Sequence, residues 1–487
     1  ARAAEKADFL FFSAIIVGID DCLGLMDVVR TRMPGKTFFL GGTFPSLKPD
    51  YCLKNCRAID ALVMGEGEEI SCTMVEAYAG KDFRALHAGT GIIFREHEGA
   101  PYHTLPGYNL ADLSTLKELA TPDWDLLDPA LSPHVYRTAS ARGCGFRCSF
   151  CVPSHLSAHT VRTYPKEVFI DSVLRIRDRH RAASYVIGDL TFLYDQDHGR
   201  DILRGLIKAG ITTPFWCQTH LSRVNAENLA LLKEAGCCQL AVGIESINPS
   251  VLANINKGVN EREIVQKILL IKEHGIEVQA YFIIGLPGDD LDTIGLNKRF
   301  MEYAVSNGLI DRTHIGIYVP YPGPHMNEAA GIVSTDYSSY TQGVFKDIPT
   351  TAVYSTDRLS RDQIDEAYAD TLASVGHALR SRRRNARPDV HEETGIILGA
   401  EVLNIAQKMH KIASTTGRKL VFNIVQGIRP GSRAFISHNI QEVGDIVFAN
   451  AEVYSADQLG PIIAELKPCV DIFLVDADMK SKRSAAI

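Results

Sequence analysis

The stretch of sequence that decides the fold covers residues 141–151, ARGCGFRCSFC. It places three cysteines at a C-x3-C-x2-C spacing: Cys144, Cys148 and Cys151. A structural zinc ion usually takes four protein ligands, so these three thiols would need His155 or His159 to complete a Cys3His site. An iron–sulfur cluster with three cysteine ligands instead leaves one iron open to a further ligand. The loop therefore predicts a metal site, and the cluster is the interpretation with a function.

The residues around this loop alternate between short apolar runs and amphipathic stretches. Six candidate strands between residues 136 and 319 read YRTAS (136–140), SYVIGD (184–189), FWCQT (215–219), CQLAVG (238–243), EVQAYFIIG (277–285) and HIGIYV (314–319). Six strand–helix units are too few for an eight-stranded barrel and predict a partial (β/α)6 barrel. The cysteine loop follows the first strand, at the carboxyl edge where parallel sheets place their chemistry.

The helix before the fifth strand has the clearest helical pattern. Ile264, Ile268 and Ile271 repeat at helical spacing, which predicts one buried face. Asn260 and Glu263 have the spacing of a capping box at the helix start.

The first hundred residues predict a separate α/β domain. Short apolar runs at 7–15, 36–42 and 59–69 read as strands of an open, doubly wound (Rossmann-like) parallel sheet. We expect five segments: a first domain at 1–100, a linker at 101–133, the partial barrel at 134–330, a helical extension with a basic linker at 331–394, and a C-terminal α/β domain at 395–487. The C-terminal domain has predicted strands at 419–426, 445–450 and 470–476. The sequence does not indicate its role.

Composition narrows the class of protein. A net charge of -7 with 46% hydrophobic and 22% charged residues favours a small-molecule enzyme over a protein that binds nucleic acid or a membrane. No apolar run reaches the roughly 18 residues that a membrane span needs, and the first residues lack a signal-peptide layout. The chain has 11 cysteines, an odd number, which fits reduced thiols and a cytoplasmic protein better than a disulfide framework.

The cysteine triplet, with Phe150 before its last cysteine, resembles that of the radical S-adenosylmethionine (SAM) enzymes. The resemblance implies a [4Fe-4S] cluster on Cys144, Cys148 and Cys151, whose open iron binds SAM. It also implies that an external electron donor, such as flavodoxin or ferredoxin, drives cleavage of SAM to a 5′-deoxyadenosyl radical. Such a radical abstracts hydrogen from an unactivated carbon of a small-molecule substrate.

Other segments match the same family in the expected order. Gly188-Asp189 stands where the family often has Gly-Gly-Glu, which makes Asp189 the expected replacement for the residue that binds the SAM amino group. The segments at 240–258 and 281–290 resemble the family's SAM-contacting strand end and its Gly-Leu-Pro-Gly turn. The resemblance predicts a set of SAM-binding residues: Phe150, Asp189, Glu245, Ser246, Gln279, Gly285 and Pro287.

The first domain resembles the cobalamin-binding domain that precedes the barrel in one subgroup of radical SAM enzymes. The predicted cobalamin-binding residues are Ser13, Gly41, Gly42, Thr43, Gly65, Glu66 and Gly67. A doubly wound domain needs glycine at such turns whatever it binds, so a scaffold without cobalamin is the alternative. The domain begins later than the family's domain does, and we expect it to be truncated at its N-terminus.

The resemblance implies a cobalamin-dependent radical SAM enzyme, most simply a methyltransferase that acts on an unreactive carbon. The first alternative is a radical SAM enzyme with the same architecture that catalyses cyclisation, ring contraction or oxidation. A remote alternative is a non-catalytic cobalamin- or zinc-binding module. A methylthiotransferase is disfavoured because no second cysteine triplet precedes the first.

Overall fold

The structure is a computed structural model that describes residues 6–114, 124, 135–324 and 352–386, together with six two-residue strands noted below. The chain divides into two compact units. The first unit comprises residues 1–213 and 320–341, and the second comprises residues 214–319 and 342–487. Each unit is described by itself.

The first unit begins with a five-stranded sheet whose strands lie in chain order. They are β1 (Phe9–Ser13), β2 (Thr37–Gly41), β3 (Ala61–Val63), β4 (Ile92–Phe94) and β5 (His103–Leu105). The pairs β1–β2 and β2–β3 are parallel, as predicted, whereas β3–β4 and β4–β5 are antiparallel. The sheet is therefore mixed. The chain returns from β3 through α4 (Glu68–Gly80) and α5 (Arg84–His87) to an antiparallel β4, and β5 lies within the predicted linker.

Five helices accompany this sheet. They are α1 (Ile19–Arg32), α2 (Thr43–Leu47), α3 (Pro49–Asn55), α4 (Glu68–Gly80) and α5 (Arg84–His87), with a 3-10 turn at Ile16–Gly18. One face of α4 packs on β3 and β4 through Ile70, Met74 and Ala77, which are buried with Phe39 and Phe94. Removing these side chains from water is the main stabilising contribution to this domain.

The cysteine-bearing segment follows in the same unit. Strands β6 (Tyr136–Thr138) and β9 (Tyr185–Ile187) pair in parallel, and between them β7 (Ala141–Gly143) and β8 (Val161–Thr163) form an antiparallel hairpin. The helices of this part are α6 (Val152–Leu156), α7 (Lys166–Asp178) and α8 (Gln196–Lys208).

The second unit contains four parallel strands in consecutive order. They are β10 (Phe215–Thr219), β11 (Cys237–Glu245), β12 (Glu277–Ile284) and β13 (Arg312–Ile317). Their helices are α9 (Ala226–Glu234), α10 (Pro249–Asn254), α11 (Glu261–Glu273) and α12 (Leu291–Ser306), with a 3-10 turn at Leu221–Arg223. The capping box of Asn260 and Glu263 is present at the start of α11, and its three predicted isoleucines are buried, which confirms that reading of the sequence.

The helix α13 (Arg361–Ala386) lies within the segment at 331–394 that the sequence predicts to be a helical extension with a basic linker. In this helix, the side chain of Arg382 bonds to the loop before β13. Its guanidinium donates to a carboxylate oxygen of Asp311 at 2.8 Å and to the carbonyl of Ile310 at 2.8 Å. These charge-assisted hydrogen bonds from Arg382 stabilise the packing of α13 against the segment before β13.

The remaining described pieces are short strands. They are β14 (Val344–Phe345), β15 (Ile348–Pro349), β16 (Leu420–Val421), β17 (Val470–Asp471), β18 (Phe473–Leu474) and β19 (Ala485–Ala486). Strands β16 and β17 pair in parallel and fall inside the predicted strands at 419–426 and 470–476. The strand predicted at 445–450 lies outside the described residues. In the part of the chain that the structure describes, no helix combines the length and the apolar character that a membrane span requires.

Candidate active site

The three cysteines lie on the long loop that connects β7 to β8. The hairpin closes the loop at its base, where Arg142 faces Arg162 and Gly143 faces Val161. Cys144 is buried, and Cys148 and Cys151 are half-buried, with none of the three in a disulfide. The amide of Cys151 donates to the carbonyl of Cys148 at 3.1 Å, which folds the second half of the motif into a tight turn. The loop thus holds three reduced thiols in a segment that the hairpin closes at its base and the Cys148–Cys151 turn folds back.

Of the two glycines that flank Cys144, one is required by the backbone and the other leaves room for a tyrosine ring. Gly143 has φ +90°, and a side chain there would approach the carbonyl oxygen of Thr160 to 2.2 Å. A side chain at Gly145 would lie 2.0 Å from the hydroxyl of Tyr194, whose ring packs edge-on against Phe146. The backbone before Cys144 therefore requires glycine, whereas glycine after Cys144 allows the Tyr194 ring to pack against the loop.

The geometry bears on the choice between zinc and an iron–sulfur cluster. Sulfur ligands of a tetrahedral zinc lie about 3.8 Å apart, given a Zn–S bond of about 2.3 Å. Among the described residues, the cysteine triplet with His155 and His159 does not form a group of three ligand atoms within 4.8 Å. The ring of His159 instead lies 3.3 Å from the carbonyl of Phe146. Three reduced thiols on one loop match the three protein ligands of a cluster that leaves one iron open.

Asp189 lies under the start of the cysteine loop. It follows β9, is buried, and accepts hydrogen bonds from the Ser140 amide (2.7 Å), the Ser140 hydroxyl and the Ala141 amide (3.1 Å). Burial raises the pKa of Asp189 to about 6, against the hydrogen bonds from Ser140 and Ala141, which lower it. The carboxylate therefore holds the entry of the hairpin, and its predicted role at the SAM amino group stays a prediction.

Replacing Asp189 with asparagine is expected to preserve the structure and to alter its pH dependence. An amide oxygen can accept both backbone bonds, and the amide nitrogen can donate to the Ser140 hydroxyl. Because the folded-state pKa is raised above the unfolded value, ionisation of Asp189 costs stability as pH rises through about 6. Chemical denaturation should therefore show wild type losing about 1 kcal/mol relative to Asp189→Asn between pH 5 and pH 7.5.

Asp189→Ala provides the contrast, because it leaves three buried donors without an acceptor and should be about 3 kcal/mol less stable than Asp189→Asn at either pH. Equal stability of the alanine and asparagine variants would contradict this role.

Two arginines of the hairpin bind Glu66 and Glu68, which lie just after β3. Arg162 donates to both carboxylate oxygens of Glu66, at 2.6 and 2.9 Å, and to the carbonyl of Ala111 at 2.6 Å. Its cross-strand neighbour Arg142 donates to Glu68 at 2.6 Å. Burial disfavours ionisation of Glu66, but the bonds from Arg162 and the Ala111 amide and the two arginine charges outweigh it, so its pKa lies below the usual range. This glutamate–arginine network ties the first domain to the base of the cysteine loop.

Arg162→Ala should loosen this junction, because it leaves the half-buried Glu66 carboxylate without its bidentate partner. We expect a loss of about 2 kcal/mol and faster amide exchange in residues 65–69 and 141–163, measured by hydrogen–deuterium exchange. The control is Arg84→Ala, which removes a fully exposed pair with Asp82. Unchanged exchange in Arg162→Ala would show that the network does not hold the two segments together.

The predicted cobalamin residues lie at the carboxyl edge of the first sheet. Ser13 ends β1, Gly41 ends β2 and Gly67 immediately precedes α4. A side chain at Gly41 would meet no atom closer than 4.0 Å, and Ser13 and Thr43 are exposed, so this edge is open. An open edge lined by small residues fits a flat ligand.

The backbone requires glycine at two of these positions, whatever the domain binds. Gly42 has φ +105°, and a side chain there would lie 2.4 Å from the carbonyl oxygen of Ala14. Gly65 has φ +98° and would meet the carbonyl oxygen of Asn109 at 2.4 Å. Glu66 is likewise committed through its carboxylate to the glutamate–arginine network. Their roles in cobalamin binding stay predictions.

In the second unit, Glu245 ends β11 with φ +65°, where the register with β12 shifts. Its carboxylate accepts from the ammonium group of Lys257 at 2.8 Å, and the two side chains are only 8% and 6% exposed. A side chain at Gly243 would lie 2.3 Å from the Glu245 carboxylate and 2.7 Å from the Lys257 nitrogen. Glycine at 243 therefore makes room for a buried ion pair.

His220 supports the segment that carries Lys257. Its Nε2 lies 3.0 Å from the carbonyl of Lys257, and its Nδ1 lies 3.2 Å from the amide of Ser222. A carbonyl only accepts and an amide only donates, so the ring is neutral with its proton on Nε2. Burial, followed by the charge of Lys257, lowers the pKa of His220 to about 4, in agreement with a neutral ring.

The other predicted SAM residues of this unit are also hydrogen-bonded. Ser246 lies against Asn297, whose side-chain nitrogen donates to the serine hydroxyl at 3.1 Å. Gln279 is fully buried on β12 and donates to the hydroxyl of Tyr281 at 2.9 Å. These bonds orient Ser246 and Gln279, and their contacts with SAM stay predictions.

The Gly-Leu-Pro-Gly turn closes on Asp289. The amides of Gly285 and Leu286 donate to one carboxylate oxygen of Asp289, at 3.1 and 3.0 Å. Gly285 has φ +81°, which favours glycine, and Pro287 lies half-buried at the turn. Burial raises the pKa of Asp289 to about 6, against the hydrogen bonds from Thr293, Leu286 and Gly285. The aspartate thus shapes the turn from within.

Sequence reasoning missed the residues that support the predicted ones. Arg142 and Arg162 become neighbours only through the β7–β8 hairpin, whose strands have three residues each and carry too weak a pattern to predict. Lys257 lies 12 residues beyond Glu245, with a helix between them. A lysine beside a glycine in a turn usually indicates a solvated charge, so no signal marked it.

Comparison with known proteins now identifies the domain. The model of the Radical SAM superfamily matches residues 139–328. These residues therefore form a radical SAM domain, which confirms the family resemblance and the α/β class with a parallel sheet.

Three curated relatives show where the chain stands among such proteins. It is 25% identical over 296 residues to the uncharacterized methyltransferase PH0819 of Pyrococcus horikoshii, which covers 60% of this chain and 62% of the relative. It is 28% identical over 338 residues to the cytidylyl-2-hydroxyethylphosphonate methyltransferase of Streptomyces wedmorensis, with 61% of each chain covered. It is 25% identical over 326 residues to the anaerobic magnesium-protoporphyrin IX monomethyl ester cyclase of Rubrivivax gelatinosus, covering 65% and 57%. The chain thus spans about three fifths of the length of these relatives.

Two solved structures share the fold. The radical SAM methyltransferase TsrM from Kitasatospora setae, solved with cobalamin and a [4Fe-4S] cluster, aligns with a TM-score of 0.55 at 17% identity, covering 68% of this chain and 69% of TsrM. The cobalamin-dependent SAM radical enzyme OxsB aligns with a TM-score of 0.54 at 16% identity, covering 85% and 59%.

Proposed function

We propose that this protein is a cobalamin-dependent radical SAM enzyme that transfers a methyl group to an unactivated carbon of a small molecule. The observation that carries the proposal is the hairpin loop with three reduced, partly buried cysteines inside a radical SAM domain. A [4Fe-4S] cluster held there would pass one electron from an external donor to SAM, and the C5′–S bond would break to give methionine and a 5′-deoxyadenosyl radical. Cys144, Cys148 and Cys151 would hold that cluster, and the β7–β8 hairpin would fix its place.

The first domain supports the cobalamin part of the proposal. Its sheet has an open carboxyl edge at Ser13 and Gly41, and relatives and structural neighbours with similar folds include methyltransferases and cobalamin-binding enzymes. The glutamate–arginine network joins this edge, through Glu66 and Glu68, to the cysteine loop. We propose that the doubly wound domain binds cobalamin and that the partial (β/α)6 barrel binds the cluster and SAM. Cytoplasmic location and an external donor such as flavodoxin or ferredoxin stay predictions.

The test uses SAM with a trideuterated methyl group. The reconstituted protein is incubated anaerobically with a reductant, hydroxocobalamin and labelled SAM. We expect corrin to be retained after gel filtration, S-adenosylhomocysteine to form, and the label to enter the corrin fraction. Ser13→Trp and Gly41→Trp, which place a large ring on the open edge, should release the corrin, whereas Ser114→Trp in an exposed loop should not.

A second candidate function is a radical reaction without methyl transfer, such as cyclisation. It is favoured by the cyclase of Rubrivivax gelatinosus, whose alignment covers 65% of this chain. Formation of 5′-deoxyadenosine with retained corrin but no S-adenosylhomocysteine would favour this candidate and contradict the methyltransferase.

A further inference from the structure

We propose that His87, Glu96 and His103 form a binding site for a divalent transition metal, with zinc as the best match. The site lies on the first sheet, apart from the cysteine loop in sequence, and the inference is independent of the proposed function. The three residues bring one ligand atom each within 4.8 Å of one another. Among the described residues, they are the group of histidine, cysteine, aspartate and glutamate side chains that meets this distance.

The distances suit a small ion. The Nε2 atom of His87 lies 3.3 Å from Oε1 of Glu96, and Nε2 of His103 lies 4.0 Å from the same oxygen. Neighbouring ligands of a tetrahedral zinc lie about 3.3 Å apart when the bonds are about 2.0–2.1 Å long. One edge of the tetrahedron is therefore already formed, and the second needs a side-chain shift of less than about 1 Å.

The rings are held in place by the domain core. Phe94 is fully buried, and the rings of His87 and His103 lie 5.0 and 5.2 Å from its ring centre. Phe94 and His103 are register partners across β4 and β5, and His87 is the last residue of α5. The two imidazoles meet edge to face at 4.7 Å. Such anchoring lowers the entropy that the side chains lose when they bind an ion.

The chemistry of the donors indicates the class of metal. Two imidazole nitrogens and one carboxylate oxygen are typical ligands of zinc, and three protein ligands leave a fourth position for water. The side chains are 42%, 45% and 40% exposed, so an ion can enter from solvent. The bound ion would join the end of α5 to the β4–β5 hairpin.

The experiment measures zinc binding to the full chain, without iron reconstitution. Cys144, Cys148 and Cys151 are replaced with alanine in every sample, because their thiols would also bind zinc. Calorimetric titration with zinc sulfate should show one site, and cobalt should give the visible absorption of a tetrahedral ion. His103→Ala and Glu96→Gln should weaken zinc binding by more than about 100-fold.

His97→Ala is the matched control, because His97 is exposed in the same hairpin and hydrogen-bonds to the carbonyl of Glu98. This variant should bind zinc like the parent and keep the rise in thermal unfolding temperature that zinc produces. Absence of zinc binding to the parent, or equal binding by His103→Ala and the parent, would overturn the proposal. Loss of binding in His97→Ala alone would also overturn it, since a different ligand set would then hold the ion.

Discussion

Cys148→Ala is expected to abolish formation of 5′-deoxyadenosine from SAM. Cys148 is half-buried in the middle of the loop, and its carbonyl accepts the 3.1 Å bond from the Cys151 amide that forms the turn. The substitution removes a thiolate ligand but keeps this backbone bond, so the loop should fold as before. A [4Fe-4S] cluster left with two cysteine ligands should be lost on gel filtration. The measurements are iron content, visible absorption after reconstitution, and nucleoside yield by chromatography.

Cys72→Ala is the control for this prediction. Cys72 is an exposed thiol on α4 in the same unit, and its replacement should leave iron content and nucleoside yield unchanged. Full nucleoside formation by Cys148→Ala would show that the triplet does not hold the reactive cluster.

Lys257→Met is expected to lower the free energy of unfolding by about 3–5 kcal/mol. Lys257 and Glu245 form a 2.8 Å ion pair with both side chains almost fully buried. Methionine has a similar length but no charge, so the Glu245 carboxylate would stay buried without its partner. His220 adds no compensating charge, because burial, the largest cause of its lowered pKa, remains in the variant, and its ring still bonds to the backbone carbonyl of residue 257 and the amide of Ser222. Chemical denaturation followed by circular dichroism measures the change.

Two comparisons separate loss of the ion pair from loss of packing. The double variant Glu245→Gln/Lys257→Met should recover much of the lost stability, because no charge is left unpaired. Lys298→Met breaks the more exposed pair with Asp370, on α12 and α13, and should cost at most about 1 kcal/mol. A cost for Lys257→Met as small as that for Lys298→Met would contradict the role assigned to the buried pair.

The helix α11 and the cysteine loop could be predicted because each is encoded locally. The period of Ile264, Ile268 and Ile271 and the capping pair of Asn260 and Glu263 lie within one helix, and both are confirmed. The cluster motif likewise lies within eight residues, and the matched family model covers it. Such signals need no knowledge of how distant segments meet.

The contacts that hold these elements depend on distant segments, and the sequence did not indicate them. Glu66 meets Arg162 across 96 residues, and Ser140 meets Asp189 across 49. The antiparallel pairing of β5 was also missed, because its three residues follow a glycine- and proline-rich stretch that is typical of a linker. Position in the fold, rather than residue type, gives these side chains their roles.

The most direct test of the central claim is production of 5′-deoxyadenosine by the wild-type protein after anaerobic reconstitution with iron and sulfide. Dithionite and SAM are added, and iron, zinc and nucleoside are measured in the same sample. The account predicts about four irons per chain and nucleoside formation that requires both the reductant and SAM. Zinc bound at the cysteine triplet, with no nucleoside formed, would contradict it. Zinc that is lost in His103→Ala while iron is retained would instead belong to the separate site on the first sheet.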